Sequence, residues 1–538
     1  MKGEKGPDEK PVEVKLPKVF GIRPGVYLSV IYALVVIALL FVLLLLPGIK
    51  NPGEKVTIDS LPPGAAVLLD GRYIGATPLT DFIKKGSHSL ILKKKGYQFD
   101  EQELITGGRL FASLFIPKKS HHEIQYRVVD SDEVFADLFS QLSGYALIDT
   151  YRENYQAPPL ITPVFSDMVK IGTLSTEDLY DMLYRLTPNI SNETILHDFY
   201  HAFILLKKHD GIEFASEREG LSLLIQEAAE ATGVDPGLLA LSFGKEEKPE
   251  AIRLNYPDMN HAGGTILSDE PRPEPSSLNL GGIRFASVSG GSFMAGDPST
   301  TGPTLPFDRA ARTSLPIKAS VSGFYMATRE VTVGDYRAFL RDHPEWIPEK
   351  RDDLMASGVA DEEYLSDWAA GGKFHDLPDD TPLSGVSWFA AQAFCQWLED
   401  TLPASMRDSW EVRLPSETEW ELAALRNGTP RAVFADTEAQ VLPARFERQG
   451  KLGIADLEGN LWEWTANWYL PLDRIYQASG VALDLPKGWK GAERVVRGGS
   501  WANRSDLVSI YEKASQEPQW CTPFLGFRPI IAAKPTGQ

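Results

Sequence analysis

Two cysteines and two histidines are the side chains that could support redox or metal chemistry in this sequence. Cys395 and Cys521 are the whole cysteine content of the 538 residues, which is too few for a disulfide scaffold or a four-thiolate zinc site. His197 and His201 lie four residues apart, so one helix could offer both imidazoles to the same metal ion. No glutamate completes an HExxH pattern, and both histidines fall opposite the apolar face of their helix. Solvent-exposed histidines are therefore the favoured interpretation.

Two carboxylates near the C-terminus could bind a hard cation. Asp456 and Glu463 flank a glycine-containing segment, and oxygen donors on irregular backbone are the ligands that calcium prefers. The alternative is that Glu463 pairs with an arginine and that Asp456 caps a turn. The residue types alone leave both interpretations open.

Composition and charge limit the function classes. The chain has 54 Lys and Arg residues against 73 Asp and Glu residues, a formal net charge of −19. A nucleic-acid-binding protein needs a net basic face, so we predict no nucleic-acid partner. Hydrophobic content of 43% excludes wholesale disorder. At roughly 150 residues per domain the length indicates about three or four domains. All twelve tryptophans lie between Trp346 and Trp520, so the C-terminal third is a different kind of domain from the rest.

An apolar stretch near the N-terminus predicts a single transmembrane helix. The 21 residues from Val26 to Leu46 carry no charge, and a helix of that length spans roughly the 30 Å of a hydrocarbon core. A proline and a glycine follow instead of a cleavage site, so we expect an uncleaved signal anchor over residues 26–48. Positive residues are denser before the stretch than after it, which favours residues 1–25 as a cytoplasmic tail. The predicted location is a bacterial cell membrane, crossed once, with the bulk of the chain periplasmic or otherwise extracytoplasmic.

Residues 55–118 indicate a small β domain. Short alternating strands lie on both sides of Asp70-Gly71, which is a strong hairpin signal. The segments that carry the turn glycines are Pro63-Gly64-Ala65, Asp70-Gly71, Gly75-Ala76-Thr77-Pro78-Leu79, Gly86-Ser87-His88 and Gly96-Tyr97. With this spacing the region resembles the PEGA module, and the resemblance implies a small β-sandwich found in bacterial envelope proteins.

Lysines give this β domain a basic surface. They lie at Lys84-Lys85, Lys93-Lys94-Lys95 and Lys118-Lys119. One interpretation is contact with anionic lipid headgroups or an acidic cell-wall polymer, since each lysine near a charged surface contributes about 1 kcal/mol. The other interpretation, which we favour, is that the lysines protect exposed edge strands from pairing.

Helical signals characterise residues 125–245, and a linker is predicted after them. Ser175 and Asp178 have the spacing of a capping box, and Asn192 can cap a further helix. This region resembles no family that we recognise. Residues 246–282 are rich in proline and charge, a composition typical of a semi-extended linker.

Residues 283–538 hold seven blocks rich in glycine, tryptophan and charge. The blocks are Gly290–Met294, Phe324–Thr332, Pro382–Trp388, Arg413–Glu421, Asp456–Trp464, Arg497–Trp501 and Leu525–Arg528. In this order they resemble the formylglycine-generating (sulfatase-modifying factor) enzyme family, which implies a loop-rich α+β domain related to the C-type lectin fold. The predicted fold is therefore multidomain, with one transmembrane helix, an all-β sandwich, an α-helical middle region and this α+β domain.

The resemblance implies a calcium site but not the family's copper site. The implied calcium ligands are the side chains of Asp456 and Glu463 and the carbonyls of Gly459 and Leu461. In the family, two cysteines upstream of the final Gly-Phe-Arg hold one Cu(I), which activates oxygen to oxidise a substrate cysteine.

Only one cysteine of this chain lies in the region where the family places its copper ligands. That residue is Cys521, while residues such as Asn503, Val508 and Lys513 stand in the expected places. Two thiolates suit Cu(I) and one does not. Copper is therefore not expected, and Cys521 is only a weak candidate for a catalytic residue.

The segment before the last Gly-Phe-Arg predicts a binding surface. The candidate ligand-binding residues are Asn503, Arg504, Tyr511, Lys513, Gln516 and Trp520. Aromatic side chains beside arginine and amides are typical of recognition surfaces. We predict a membrane-anchored bacterial envelope protein whose C-terminal domain binds a protein or glycan without catalysis. The alternatives are an exported oxidase or maturation enzyme of the family's type, and a structural tether.

Overall fold

The computed structural model of the protein forms two compact units, Met1–Ser131 and Asp132–Gln538. It describes residues 17–534 apart from positions 62, 100, 114, 126, 129, 149–157, 173, 191, 243–263, 298–315, 369–376, 429–432, 439, 445, 488, 490 and 507. Most of the predicted cytoplasmic tail therefore lies outside the described residues.

A long apolar helix opens the first unit. Helix α1 spans Pro24–Leu44 and α2 spans Leu46–Lys50. Pro24 lies in the first turn of α1, where its missing N–H removes no helical hydrogen bond. Within the described ranges, α1 is the one helix that is long and apolar enough to cross a membrane, and none of its residues is buried. The predicted apolar segment is thus helical, with an interruption at Leu45.

A small β-sandwich follows the helix and confirms the predicted β domain. Its strands are β1 Gly53–Leu61, β2 Ala66–Leu69, β3 Arg72–Ala76, β4 Leu79–Lys84, β5 Gly86–Lys93, β6 Tyr97–Gln98, β7 Gln102–Thr106, β8 Lys118–Gln125 and β9 Arg127–Val128. One sheet has the order β4-β1-β8 and the other β3-β2-β5-β7, while β6 pairs with β9. Alternate residues such as Val56 with Ile58 and Leu90 with Leu92 are buried in one apolar core, as expected for strands with one covered face.

The second unit begins with the predicted helical region. Its helices are α3 Ser131–Ile148, α4 Ile161–Ile171, α5 Thr176–Tyr184, α6 Glu193–His209, α7 Glu217–Thr232 and α8 Pro236–Ser242. Ser175 and Asp178 form a capping box at the start of α5. The Asn192 side chain accepts a hydrogen bond from the N–H of Ile195 at the start of α6. Both caps were predicted from local spacing, and both are confirmed.

This helical region packs against a C-terminal segment that follows residue 468. The rings of Phe139 and Trp489 meet edge to face with centroids 5.2 Å apart. Arg185 Nε lies 2.8 Å from Asp484 Oδ2, and the Asp235 N–H donates to the Ser479 hydroxyl at 3.1 Å. Because the partners are hundreds of residues apart in sequence, no local pattern could predict these contacts.

The C-terminal domain is an α+β fold rich in loops, as predicted. Its strands are β10 Ser277–Leu280, β11 Ile283–Val288, β12 Gly291–Ala295, β13 Ile317–Val321, β14 Phe324–Ala327, β15 Trp410–Arg413, β16 Trp462–Trp468, β17 Arg494–Arg497, β18 Lys513–Gln516, β19 Leu525–Gly526 and β20 Ile530–Ala533. Its helices are α9 Val333–Asp342, α10 Arg351–Ala356, α11 Trp388–Glu399, α12 Glu417–Asn427 and α13 Asp473–Ala478. The sheets have the orders β10-β11-β14-β20-β15, β12-β13 and β18-β17-β16-β19.

The end of the predicted linker is part of this domain, so the linker prediction is wrong for residues 264–282. Strand β10 pairs with β11 in antiparallel register. The Leu267 N–H donates to the Ser292 carbonyl at 2.8 Å, and the Glu270 N–H donates to the Gly290 carbonyl at 3.1 Å. A proline-rich edge segment can make such bonds because its non-proline residues keep their N–H groups.

Candidate functional site

A small cavity lies where three loops of the C-terminal domain meet. Its lining residues are Glu363, Leu365, Ser366, Trp368, Ser384, Gly385, Cys521 and Pro523. Backbone hydrogen bonds join the loops: the Leu365 N–H donates to the Gly385 carbonyl, and the Gly385 N–H donates to the Thr522 carbonyl, both at 2.9 Å. Gly385 has a φ of +72°, a conformation that glycine adopts at little cost. Main-chain contacts thus hold the three walls of the cavity together.

Cys521 lies in the wall of this cavity, and its thiol contacts the backbone of the same loop. The residue is 1% exposed, its sulfur lies 3.4 Å from the Gln519 carbonyl, and its N–H donates to Asp361 Oδ2 at 3.2 Å. Burial, with the nearby Asp361 carboxylate, raises the pKa of the Cys521 thiol far above its usual range. The thiol is therefore protonated at neutral pH, and a protonated thiol is a poor nucleophile and a poor metal ligand.

Cys395 is a core residue of α11, as predicted. It lies with Phe394 and Leu398 in the buried apolar cluster of the domain. Both cysteines are free thiols, and burial raises the pKa of the Cys395 thiol well above its usual range. Neither cysteine thus has the electropositive, partly exposed setting of a reactive thiolate.

Asn503, Val508 and Lys513, the positions at which the resemblance would place copper ligands, make structural contacts. Asn503 Oδ1 accepts hydrogen bonds from Trp462 Nε1 and from the Ser500 hydroxyl, both at 2.9 Å. Val508 is buried, and Lys513 Nζ lies 2.8 Å from a carboxylate oxygen of Asp473. An amide, an isopropyl group and a paired ammonium do not fit a soft ion that prefers two thiolates.

Asp456 and Glu463 belong to a buried group that we call the acidic cluster, formed by Glu330, Asp456, Glu463, Arg448 and Arg528. Arg528 Nη2 lies 2.6 Å from Glu463 Oε1, and Arg448 Nη2 lies 2.9 Å from Asp456 Oδ2. All five side chains are almost fully removed from solvent. The cluster contains three carboxyl groups and two guanidinium groups, so it has one anion in excess when all are ionised.

The predicted calcium ligands do not fit a calcium ion in this arrangement. Guanidinium groups occupy carboxylate oxygens of both Asp456 and Glu463, and Trp420 Nε1 donates to Glu463 Oε2 at 2.8 Å. Gly459 donates its N–H to the Gly498 carbonyl at 2.8 Å, and Leu461 is fully buried. A cation would have to displace an arginine, so the contacts correspond to the arginine-pairing alternative for Glu463. The calcium site stays a prediction.

Glu330 is the carboxyl group of the acidic cluster that no guanidinium group approaches within hydrogen-bonding distance among the described residues. Its Oε1 accepts a hydrogen bond from Asn460 Nδ2 at 2.9 Å. Its Oε2 has no hydrogen-bond partner among the described residues and lies 4.0 Å from Arg528 Nη2. Burial, together with repulsion from Asp456, raises the pKa of Glu330 to about 8. Glu330 therefore keeps its proton at neutral pH, a role that no sequence pattern around it indicates.

A second buried group of charges, which we call the balanced cluster, is formed by Glu417, Glu421, Asp473, Arg474, Arg497 and Lys513. Arg474 Nη2 lies 2.6 Å from Glu417 Oε1, and Arg497 Nη2 lies 2.6 Å from Glu421 Oε2. Burial alone would raise the pKa of Glu417, but Lys513 and Arg474 hold that pKa well below its usual range. The cluster thus contains three carboxyl groups and three basic groups in equal number.

Lys513 is not a surface residue, so its prediction as a ligand contact is wrong. It is 4% exposed, and its ammonium contacts both oxygens of Asp473 at 2.8 and 2.9 Å. Burial opposes its charge, yet Asp473 and Glu417 raise the pKa of Lys513. A lysine in the alternating pattern of β18 looked exposed in sequence because its partners lie 40 or more residues away.

The other predicted ligand-binding residues differ in exposure. Trp520 is 44% exposed and immediately precedes Cys521 in the sequence. Arg504 is also exposed and forms an ion pair with Asp506 at 2.8 Å. Asn503, Tyr511 and Gln516 are half-buried. Of the six residues, Trp520 is the exposed one that is next in sequence to the cavity wall.

The histidine pair lies on the solvent face of α6. His197 and His201 are exposed, and their ring centroids are 4.2 Å apart. In the part of the chain that the structure describes, no group of three or more His, Cys, Asp or Glu side chains is arranged to hold a metal ion. The contacts of the pair agree with the solvent-exposed interpretation.

Two family matches agree with the two domains built above. Residues 284–533 match the sulfatase-modifying factor enzyme 1-like domain, and residues 54–106 match the PEGA domain. The chain contains both domains. Both family resemblances predicted from the sequence motifs are therefore confirmed.

Similarity to other proteins extends over the whole chain in one case and over part of it in others. A protein of Borreliella burgdorferi described as uncharacterized is 21% identical over 530 residues, which covers 97% of both chains. The formylglycine-generating enzyme of Streptomyces coelicolor is 27% identical over 164 residues, 27% of this chain and 51% of that enzyme. The chain thus spans about half the length of that enzyme. The structure of PvdO from Pseudomonas aeruginosa matches 48% of this chain and 99% of its own, with 16% identity and a TM-score of 0.36.

Proposed function

We propose that this protein is a membrane-anchored bacterial envelope protein whose C-terminal domain binds a protein or glycan ligand and performs no copper-dependent oxidation. The anchor is α1, with the N-terminus in the cytoplasm and both folded domains outside it. The charge bias around α1 supports this orientation.

The proposal rests on the contacts of Asn503 and Lys513, at the positions where the resemblance would place copper ligands. Asn503 there fastens a loop to Trp462, and Lys513 there belongs to the balanced cluster. The remaining thiol, Cys521, faces a cavity whose polar lining residues are Glu363, Ser366 and Ser384. These oxygen donors are hard ligands, whereas Cu(I) prefers sulfur. The calcium site is not part of the proposal, because arginines occupy the oxygens that it would use.

The cavity and Trp520 are the surface that we assign to the ligand. Trp520 keeps 44% of its surface exposed although exposed tryptophan is otherwise costly, and tryptophan is enriched among residues that dominate binding energy. Glu363 adds one negative charge to the cavity wall. A ligand segment with a hydrogen-bond donor or a positive group and a neighbouring apolar group would match this surface.

An anaerobic Cu(I) titration of the detergent-solubilised full chain tests the absence of oxidase chemistry. The matched controls are Cys521→Ala, which removes the cavity thiol, and Cys395→Ala, which removes the core thiol. We expect the wild-type chain to bind no more copper than Cys521→Ala. One tightly bound copper per chain that is lost only in Cys521→Ala, with oxygen consumption in the presence of a thiol peptide, would establish the alternative oxidase function instead.

Site-specific photo-crosslinking in cells tests the assigned surface. The photoreactive residue replaces Trp520 in one variant and Met355, which is 39% exposed elsewhere on the domain, in the matched control. We expect a discrete crosslinked product from position 520 and none from position 355. Equal labelling at both positions would contradict binding through this surface.

A further inference from the structure

One loop of the first unit packs across the end of the apolar helix. The loop joins β7 to β8 and comprises residues 107–117, of which the structure describes all but residue 114. The Ala112 N–H donates to the Leu44 carbonyl at 2.7 Å. A Cβ atom at Gly48 would lie 2.2 Å from the Leu110 carbonyl oxygen, so only glycine allows this approach. The loop is therefore fixed at the point where the chain leaves α1.

Four large apolar side chains of loop 107–117 are exposed. Leu110 is 63% exposed, Phe111 60%, Phe115 62% and Ile116 59%. Such a cluster within the seven residues from Leu110 to Ile116 is uncommon on a water-facing surface, where exposed apolar patches mark interaction sites. None of the four side chains belongs to the buried core of the β-sandwich.

Exposed lysines lie at the same end of the β-sandwich as the loop. Strand β1 starts there, Gly53 is paired with Lys84, and the Lys85 N–H donates to the Pro52 carbonyl at 2.9 Å. Lys50, Lys84 and Lys85 are all exposed. Strand β5 then runs away from this end, so Lys93 lies at the opposite end. Lys118 and Lys119 follow the loop directly and pair with Glu54 and Lys55 at the start of β1. Of the predicted basic surface, two pairs are thus beside the apolar loop, Lys84-Lys85 and Lys118-Lys119, with Lys118 paired to Glu54.

We propose that loop 107–117 inserts its apolar side chains into the interface of the bilayer that α1 crosses. This inference rests on the proposed membrane anchor. The loop is continuous with the end of α1 through the Ala112–Leu44 and Gly48–Leu110 contacts, so it lies at the level where α1 emerges from the hydrocarbon. Apolar side chains flanked by lysines match that level, because the former enter the acyl boundary by about 5–10 Å while the latter meet headgroup phosphates.

Fluorescence quenching in liposomes tests the insertion with the full chain. Single cysteines for an environment-sensitive dye are introduced as Phe111→Cys in the loop, Gln98→Cys at the far end of the sandwich, and Val36→Cys in the middle of α1. The wild-type chain, whose two cysteines are buried, is the control for background labelling. The vesicles contain phosphatidylcholine and phosphatidylglycerol with nitroxides in the headgroup, high on the acyl chain, or deep on the acyl chain.

We expect the label at 111 to be quenched most by the nitroxide high on the acyl chain, the label at 36 by the deep one, and the label at 98 by none. The quenching at 111 should persist in high salt and in phosphatidylcholine alone, because apolar insertion is not screened as lysine attraction is. Phe115→Cys repeats the measurement in case Phe111→Cys perturbs the loop. The insertion is overturned if the labels at 111 and 115 respond like the label at 98, or if they lose their quenching in high salt. In that case a quenched label at 36 still supports the membrane anchor. An unquenched label at 36 overturns both.

Discussion

The acidic cluster and the balanced cluster are two buried groups of charges in one domain, and they differ in the number of cations available to each carboxyl group. The balanced cluster matches three carboxylates with three cations, and its Glu417 and Lys513 both have pKa values shifted towards the charged form. The acidic cluster has three carboxyl groups for two guanidinium groups, and burial raises the pKa of both Glu330 and Asp456. Desolvation acts on every member of both clusters, so the number of opposite charges decides which groups ionise. Matched charge gives a permanent salt network, and unmatched charge gives a titratable one.

Removing one cation from the balanced cluster should have the largest effect. Lys513→Met leaves Asp473 and Glu417 short of a partner, and we expect a loss of about 3–5 kcal/mol in the free energy of unfolding. Tryptophan fluorescence in denaturant measures it, because all twelve tryptophans lie in this domain. Lys350→Met is the control, since Lys350 pairs with Asp353 at the surface and should change stability by less than about 1 kcal/mol. Equal losses in both variants would show that the buried network contributes nothing special.

Removing one cation from the acidic cluster should cost less at low pH. In Arg448→Met the freed Asp456 can take up a proton, which limits the loss to about 2 kcal/mol near pH 6 and lets it rise to roughly 4 kcal/mol near pH 9. The same denaturant titration at both pH values checks this. A loss that is independent of pH would place Arg448 in the permanent kind of network and would break the comparison.

The two clusters should also give stability opposite dependences on pH. Glu330 has a folded pKa raised above its usual value of 4.5 to about 8. Its contribution is therefore fully present below pH 4.5 and is lost as pH rises through about 8. Glu417 has a lowered pKa. Its contribution to stability is therefore present when the pH is above the usual glutamate pKa of 4.5, and it is lost as the pH falls below that value.

The variant that isolates the first of these effects is Glu330→Gln. It keeps an acceptor for Asn460 without the charge, and we expect it to be more stable than the wild type by on the order of 2 kcal/mol near pH 9 and similar to it near pH 5. Unfolding midpoints of both proteins across that range are the measurement. If the unfolding midpoint of the wild type does not decrease as the pH is raised from 5 to 9, Glu330 is not the titrating group.

Calcium should have the smallest effect of all. A calcium ion would have to displace Arg448 or Arg528 from the acidic cluster, so saturating calcium should shift the unfolding midpoint by an amount equivalent to less than about 0.5 kcal/mol. In Arg448→Met the freed Asp456 should make the shift larger. Clear stabilisation of the wild-type chain by calcium, reversed by a chelator, would restore the calcium site predicted from the family motif.

The sequence predicted what is encoded by near neighbours and by motif order. The caps at Ser175 and Asn192 depend on residues three positions away, and Cys395 was placed in the core by the apolar face of one helix. The domain classes followed from the order of glycine and tryptophan blocks, which occupy turns and cores that a fold cannot easily replace.

The site residues were harder to place because their partners are distant in sequence. Lys513 is joined to Glu417 across 96 positions, and Glu330 to Asn460 across 130. In both cases a charged residue that looks exposed in its local pattern is buried by elements from elsewhere in the domain. Periodicity reports which face of an element is apolar, but it does not report which charges meet inside.

The close passage of Leu110 over Gly48 has a mechanical consequence for the first unit. The Ala112–Leu44 hydrogen bond and the lack of room for a side chain at Gly48 join the β-sandwich directly to the end of the apolar helix. A transmembrane helix changes its tilt with the thickness of the bilayer around it. If α1 crosses the membrane as proposed, a change of bilayer thickness that tilts α1 would also tilt the part of the β-sandwich joined to its end.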